Sequence, residues 1–444
     1  MKRVLIIAYY WPPSGGSGVQ RWVKFVKYLP SEGWEPVVYV PENPEYPAID
    51  RTLEAEVAPS VEVIRHPIRE PYAIYRKLMG KGASTDMKTL TAGMQGGAVT
   101  EISSGKKSLG QQLSLWIRGN LFIPDPRVGW VRPSVRFLRK YLREHPVDAI
   151  VTTGPPHSMH LIGERLHKAL GIPWIPDFRD PWTDMYYLKH LPLLPSTWRK
   201  LRRQEQGTLD SCSTVLAVTP LVQEELQART KTPVACITNG FDEEDFTSPA
   251  PAPDGYFNLS HTGLFASDGN PLILWKVLGC MVAEDPAFKA ALRLRLSGKV
   301  DREVLDAITA EGLAPNVVEL GYCDHATAVH EQRAASVLLL PLRNDPQYRP
   351  ILPGKLFEYL AARRPVLGIG QTDGAMARVL AATGAGITAA WEDASAMRSF
   401  LSDAWARHRA GSLTPTTGNI APYTRRAITH ELAELLNTVS NNKL

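Results

Sequence analysis

Short apolar runs rich in Val, Ile and Leu recur along this chain, and helical patterns fill the intervals between them. They cover residues 4–8, 37–40, 61–64, 149–152, 174–175, 215–218 and 234–237, then 257–260, 292–296, 317–320, 337–340 and 366–369. A strand with one face in water alternates apolar and polar residues, whereas a strand covered by helices on both faces does not. Most of these runs lack strict alternation, which predicts an α/β fold of doubly wound parallel sheets. Between the two series lies Thr247-Ser248-Pro249-Ala250-Pro251-Ala252-Pro253-Asp254-Gly255, which stiffens the backbone and supplies no core side chains. At about 150 residues per domain, 444 residues allow two or three domains. The Pro-rich break makes two the expectation: an N-terminal domain over 1–246, a linker over 247–256 and a second domain over 257–423. The segment 424–444 carries Ile428, Leu432, Leu435 and Leu436 at helical spacing and predicts a closing amphipathic helix. Residues 80–110, rich in Gly, Ser, Thr and Lys, read as a flexible insertion in the first domain.

Charge and cysteine content narrow the function classes. Lys and Arg number 50 against 45 Asp and Glu, a net charge of +5, too small to imply wholesale nucleic-acid binding. The four cysteines, Cys212, Cys236, Cys280 and Cys323, include no CxxC pair, so neither a zinc knuckle nor a redox dithiol is expected. The apolar run after Met1-Lys2-Arg3 is short and meets Tyr9-Tyr10-Trp11-Pro12-Pro13 without a small-residue cleavage site, so it reads as a first strand and not a signal peptide. No stretch approaches the roughly 18–20 apolar residues of a membrane span. A cytoplasmic location follows as the expectation.

Three clusters fall where strands give way to helices. The first strand runs into Pro12-Pro13-Ser14-Gly15-Gly16-Ser17-Gly18, whose glycines bring N–H groups close to a ligand while the next helix start favours an anion. Arg21 replaces the third Gly of GxGxxG, and no GK[ST] ending follows. Glu42, near the end of the second strand, keeps NAD as the runner-up ligand. The second cluster joins His157 and His160 to Asp177, Arg179 and Asp180, all at carboxyl ends of strands, where open α/β sheets bind ligands. No third ligand completes a metal set with the two histidines. In the third cluster Gly354 permits close approach to a ligand, Lys355 offers a cation, and Glu358, one turn into the helix, suits a vicinal diol such as ribose.

Together these residues resemble a retaining glycosyltransferase of family 4. The resemblance rests on the Gly15–Gly18 loop, Asp177-Phe178-Arg179-Asp180-Pro181-Trp182, Ile237-Thr238-Asn239-Gly240-Phe241-Asp242, Thr262-Gly263 and Lys355-Leu356-Phe357-Glu358-Tyr359-Leu360. It implies the GT-B fold, two Rossmann-like domains facing across a cleft, with the closing helix packed back on the first. It also implies transfer of a sugar from a nucleotide-diphosphate sugar to a glycan or lipid-linked acceptor, with retention and without metal or cofactor. The Lys-Leu-Phe-Glu-Tyr form of the site looks like a subgroup that builds surface polysaccharides. The donor contacts so implied are Gly15, Gly16, Gly18, Gly263, Arg349, Gly354, Lys355, Leu356 and Glu358. The catalytic set is His157, Arg179, Asp180 and Lys355.

Three positions depart from the family pattern. Pro350 stands where the first of two paired glutamates is expected, and Asp345 is the nearest upstream acid. Leu264-Phe265-Ala266-Ser267-Asp268-Gly269-Asn270 lacks the Arg and Lys that commonly meet the diphosphate. Arg179 stands where many relatives carry His. Basic residues collect at Arg132, Arg136, Arg139, Lys140 and Arg143 and again at Arg199, Lys200, Arg202 and Arg203, patches suited to an anionic membrane at its inner face or to a lipid-linked pyrophosphate. A nucleotide-sugar epimerase and a non-catalytic sugar-nucleotide-binding module stand as the alternatives.

Overall fold

The structure, a computed structural model, describes residues 1–46, 48–70, 109–185, 188, 191–249 and 251–441. The insertion expected over 80–110 lies outside these residues except for its last two, which open the helix Leu109–Leu121. The chain forms two compact units, one of Met1–Thr238 with Ile428–Leu444, the other of Asn239–Ala427.

The first unit is built on β1 (Lys2–Ile7), β2 (Trp34–Pro41), β3 (Glu62–His66), β4 (Ala149–Gly154), β5 (Trp174–Phe178), β6 (Val215–Ala217) and β7 (Val234–Cys236). Among the described residues they form one parallel sheet in the order β3-β2-β1-β4-β5-β6-β7. Val4, Leu5, Ile6 and Ile7 have no exposed surface, because helices cover both sheet faces. The helix Val128–Glu144 shows how patterning places a helix. Trp130, Val131, Ser134, Leu138 and Leu142 face inward, while Arg132, Arg136, Arg139, Lys140 and Arg143 all lie in solvent. Proline at the first helical turn, where its missing N–H costs nothing, opens the helices Pro195–Ser211 and Pro220–Gln227. The helix Arg425–Asn441 buries Ile428, Leu432, Ala433, Leu436 and Val439 in this unit's core.

The second unit repeats the plan with β8 (Phe257–Thr262), β9 (Leu292–Ser297), β10 (Val317–Gly321), β11 (Val337–Pro341), β12 (Val366–Ile369) and β13 (Gly386–Ala389). Its parallel sheet runs β10-β9-β8-β11-β12-β13. In each unit the strand order reverses beside the first strand, which makes the carboxyl edge there the natural ligand crevice.

The division falls after Thr238, earlier than the expected 246, and the Pro-rich stretch counts with the second unit. Backbone pairing sets this: Phe241 N–H donates to Tyr423 O at 3.0 Å and Arg425 N–H to Phe241 O at 2.8 Å. Asp245 meets His325 at 3.3 Å, and Arg333 donates to Ser248 O at 2.6 Å. The described part of the 247–256 segment is thus strapped to the second unit and is not a free tether. Among the described residues no helix is long and apolar enough to cross a membrane.

Candidate functional site

In the first unit, β1 leads through buried Tyr9, Tyr10 and Trp11 and a cis Pro12–Pro13 bond to the glycine loop. Gly16 has φ +111°, a conformation that favours glycine, and it precedes the helix Ser17–Tyr28, whose first turn has no side-chain cap. Gly15 is pinned by its N–H to Ala48 O at 3.0 Å. Gly18, expected as a donor contact, has a packing task as well. A Cβ there would lie 1.6 Å from Arg179 Nη1, so glycine at 18 makes room for the guanidinium against the first helical turn.

Arg179, at the carboxyl end of β5, donates to Pro155 O at 2.6 Å, and its buried Nε has no partner. Burial lowers its pKa; neighbouring Asp180 and Asp177 oppose that shift. A guanidinium beside an uncapped helix start concentrates positive potential, and an anion is its natural complement. Asp180 is half-buried and its pKa is raised by burial against the pull of Arg179. His157 stacks on Trp182, centroids 4.6 Å apart and planes 5° apart, with both ring nitrogens buried and unpartnered. Burial pushes its pKa well below normal, helped by His160 and Arg179. His160 bonds Thr152 Oγ1 at 2.9 Å, and burial first, then Arg179, lower its pKa to about 3. Both rings are therefore neutral, and His160 faces the Thr152 hydroxyl and the Phe178 ring. Among the described residues no group of three His, Cys, Asp or Glu side chains is placed to hold a metal ion.

Asp177 is structural. It is fully buried, meets the equally buried Arg21 at 3.2 Å, and accepts from Trp22 Nε1 at 2.7 Å and Thr153 Oγ1 at 2.9 Å. Asp125, not singled out in the sequence, caps the helix Ser158–Leu170 by accepting from Ser158 N–H and Oγ–H. It lies 33 residues upstream, so no local capping pattern reveals it.

In the second unit the site gathers around the turn after β8. Gly263 has φ +91°, and a Cβ on it would lie 2.9 Å from Lys355 Cε. Lys355 opens the helix Gly354–Ala362 with Gly354, and its side chain lies across Gly263. Its ammonium donates to His261 Nε2 at 3.1 Å and Leu264 O at 3.2 Å. Burial lowers its pKa to about 8, opposed by Glu358. Among the described residues no carboxylate pairs with it. Glu358 is half-buried and accepts from Gln332 Nε2 at 2.8 Å; the same Gln332 nitrogen lies 3.2 Å from Thr262 Oγ1.

Other expected contacts are placed differently. Leu356 is fully buried, and its N–H is taken by Pro353 O at 3.0 Å, so its side chain packs the core. Arg349 pairs with Asp373 at 2.8 Å on an exposed surface. Asp345 caps the turn Pro346–Tyr348 through Gln347 N–H. Arg343, unmarked by the sequence motifs, reaches Asp268 at 2.9 Å and so brings a guanidinium to the loop that lacks the family's basic pair.

The sequence profile of Glycosyltransferase Family 4 matches residues 95–245, which contain His157, Arg179 and Asp180. That stretch, 151 of the 444 residues, is similar to glycosyltransferase family 4. No curated protein matches the sequence significantly. Solved structures align along nearly the whole chain. A glycosyltransferase from Rickettsia africae ESF-5 superposes with a TM-score of 0.60 at 11% identity, covering 99% of each chain. WaaG, a glycosyltransferase involved in lipopolysaccharide biosynthesis, gives 0.51 at 13% identity over 99% of each chain. A mutant of S. aureus TarM in complex with fondaparinux, α-GlcNAc-glycerol and UDP gives 0.56 at 10% identity, covering 98% of this chain and 100% of that one. At such identities the likeness speaks for the fold: two Rossmann-like units, the GT-B fold of glycosyltransferases.

Proposed function

We infer that this glycosyltransferase moves a sugar from a nucleotide-diphosphate sugar to a glycan or lipid-linked acceptor with retention, in building a cell-envelope or surface polysaccharide. The observation that carries this reading is Lys355, a half-buried lysine whose ammonium lies over Gly263 and is hydrogen-bonded by neutral acceptors. A cation that is hydrogen-bonded by neutral groups, with Glu358 acting on it only through space, complements an anionic ligand, and a diphosphate leaving group develops negative charge as the sugar bond breaks. Glu358, oriented by Gln332, serves as the ribose acceptor. Arg343 supplies a second cation if diphosphate displaces Asp268.

In the first unit Gly15, Gly16 and Arg179 present positive potential to phosphate, while His157 and Asp180 orient hydroxyls of sugar or acceptor. The leaving phosphate takes the acceptor proton, so retention needs no protein base. No step calls for a metal or cofactor. UDP, which the TarM complex contains, is the first nucleotide to try.

Replacing Glu358 by Ala should raise the donor KM about 10- to 100-fold with a smaller change in kcat, because a charge-assisted hydrogen bond contributes about 1.5–3 kcal/mol. Unchanged donor kinetics would remove Glu358 from the site. Thermal-shift comparison of UDP, GDP, ADP and NAD tests the class itself: stabilisation by NAD alone overturns nucleotide-sugar binding.

A lipid-linked acceptor fits the surface of the first unit. Asn120 ties the helix Leu109–Leu121 to the next segment through Pro192 O, Leu194 N–H and Thr197 Oγ1. This groups the exposed Trp116, Leu121 and Leu194 near the exposed Arg199, Lys200, Arg202 and Arg203. Apolar side chains beside cations suit an anionic bilayer surface. The protein should co-sediment with phosphatidylglycerol vesicles and detach as salt rises; absence of binding at low salt refutes membrane contact.

A further inference from the structure

The residue that holds Lys355 is itself unusual for its place. His261, the last residue but one of β8, has only 2% of its surface exposed. Its Nδ1 lies 3.0 Å from Leu339 O. Nε2 lies 3.3 Å from Leu264 O and 3.1 Å from the Lys355 ammonium; the ammonium only donates and itself reaches Leu264 O, so Nδ1, facing the accepting Leu339 carbonyl, carries the proton and the neutral ring presents the Nε2 lone pair to Lys355. Desolvation first, then the Lys355 charge, hold the imidazole neutral, its pKa lowered to about 3. The lysine stem is confined as well, since it crosses Gly263 where no side chain would fit. Gly298, at φ +114°, packs beneath, with no room for a Cβ against Gly263 O.

A carboxylate at position 261 would fix the ammonium equally well. It would also neutralise it, raise its pKa and leave little net charge for a ligand. A neutral acceptor fixes the same ammonium and keeps its charge. Besides His261, Glu358 on the lysine's own helix is the titratable group that acts on it.

We propose that His261 is the positioning residue for Lys355: its Nε2 lone pair, set by the Leu339 carbonyl, aims the ammonium across Gly263 and leaves its full charge for the diphosphate of the donor. The assignment rests on the donor reading above, but its geometry is testable without a donor. No motif reveals it, because His261 and Lys355 lie 94 residues apart.

Two amides separate the two ring nitrogens. His261→Gln places an acceptor where Nε2 stands and loses the Leu339 contact. His261→Asn keeps a donor to Leu339 and withdraws from Lys355. Competitive acylation with peptide mass spectrometry measures the Lys355 pKa in each protein without nucleotide, and calorimetry measures UDP affinity from pH 6.5 to 9.5. The Gln variant should keep the Lys355 pKa near that of the unaltered protein and UDP affinity within about threefold. The Asn variant should free the ammonium, move its pKa toward the ordinary lysine value and weaken UDP about tenfold at pH 7. The opposite order, with Asn native-like and Gln impaired, overturns the proposal and assigns His261 to holding β8 against β11. Should the Asn variant not fold, the Gln variant decides alone: loss of the lysine's pKa shift there refutes the role. If the unaltered protein binds no nucleoside diphosphate, the donor reading fails, while the acylation result still judges the positioning.

Discussion

Replacing Lys355 by Met is expected to lower kcat/KM for the nucleotide-sugar donor about 10³-fold and to weaken UDP about 10- to 100-fold. The smaller figure follows from losing one charge-assisted bond to a bound diphosphate. The larger adds the charge that develops on the leaving group, which a preoriented donor stabilises more than it does the ground state. Met keeps the length and apolar stem that lie across Gly263, so the fold should survive. Lys355→Arg should not rescue, since a planar fork does not suit a slot defined by one imidazole nitrogen and one carbonyl oxygen. The pH dependence carries its own sign. Lys355 is cationic below its pKa of about 8 and neutral above it. The donor kcat/KM of the unaltered enzyme should therefore be level on the acid side and fall about tenfold per pH unit above about 8. That limb should vanish in Lys355→Met. A limb of unchanged position in the variant would assign the titration to another group and remove Lys355 from the chemistry.

The two sheets were legible because strands buried on both faces leave unbroken apolar runs. β9 departs from this, with Leu292, Leu294 and Leu296 buried while Arg293 and Arg295 are partly exposed, and so do the edge strands β3 and β10, which have no fully buried residue. The division between units was less legible. A Pro-rich stretch marks where side chains cannot build a core, whereas the division depends on Phe241 pairing with residues 423 and 425, a contact between distant segments that no local pattern encodes. The site follows the same rule. The Gly15–Gly18 loop and the Lys355–Glu358 turn are contiguous and could be read directly. The groups that orient them come from neighbouring elements: His261 for Lys355, Gln332 for Glu358 and Asp125 for Ser158. Gly18 shows the limit from the other side. Its glycine requirement was visible, but the cause is Arg179, brought there by the end of β5.

Arg21 and Asp177 are expected to give the largest stability effect in the first unit. Both side chains are fully buried. Asp177→Ala leaves a guanidinium in the core without its counter-charge and strips the acceptor from Trp22 Nε1 and Thr153 Oγ1. Breaking such a pair costs about 3–5 kcal/mol, much of a typical domain's stability. Arg21→Met should cost less on the aspartate side, because Trp22 and Thr153 still donate to Asp177. It does orphan the Ile237 and Thr238 carbonyls, to which Arg21 donates at 2.9 and 2.8 Å. Combining Arg21→Met with Asp177→Leu removes both buried charges and should cost less than the sum of the single losses. Urea unfolding followed by tryptophan fluorescence suits the test, since Trp11, Trp22, Trp34, Trp130, Trp174 and Trp182 are all buried in this unit. A loss below about 1 kcal/mol for Asp177→Ala would mean that the pair is solvated, and Asp177 would then return as a candidate ligand group beside Arg179. A loss of the expected size ties function to folding at one point. Asp177 anchors the end of β5 to the helix Ser17–Tyr28, and Arg179, two residues on, then meets the start of that same helix at Gly18.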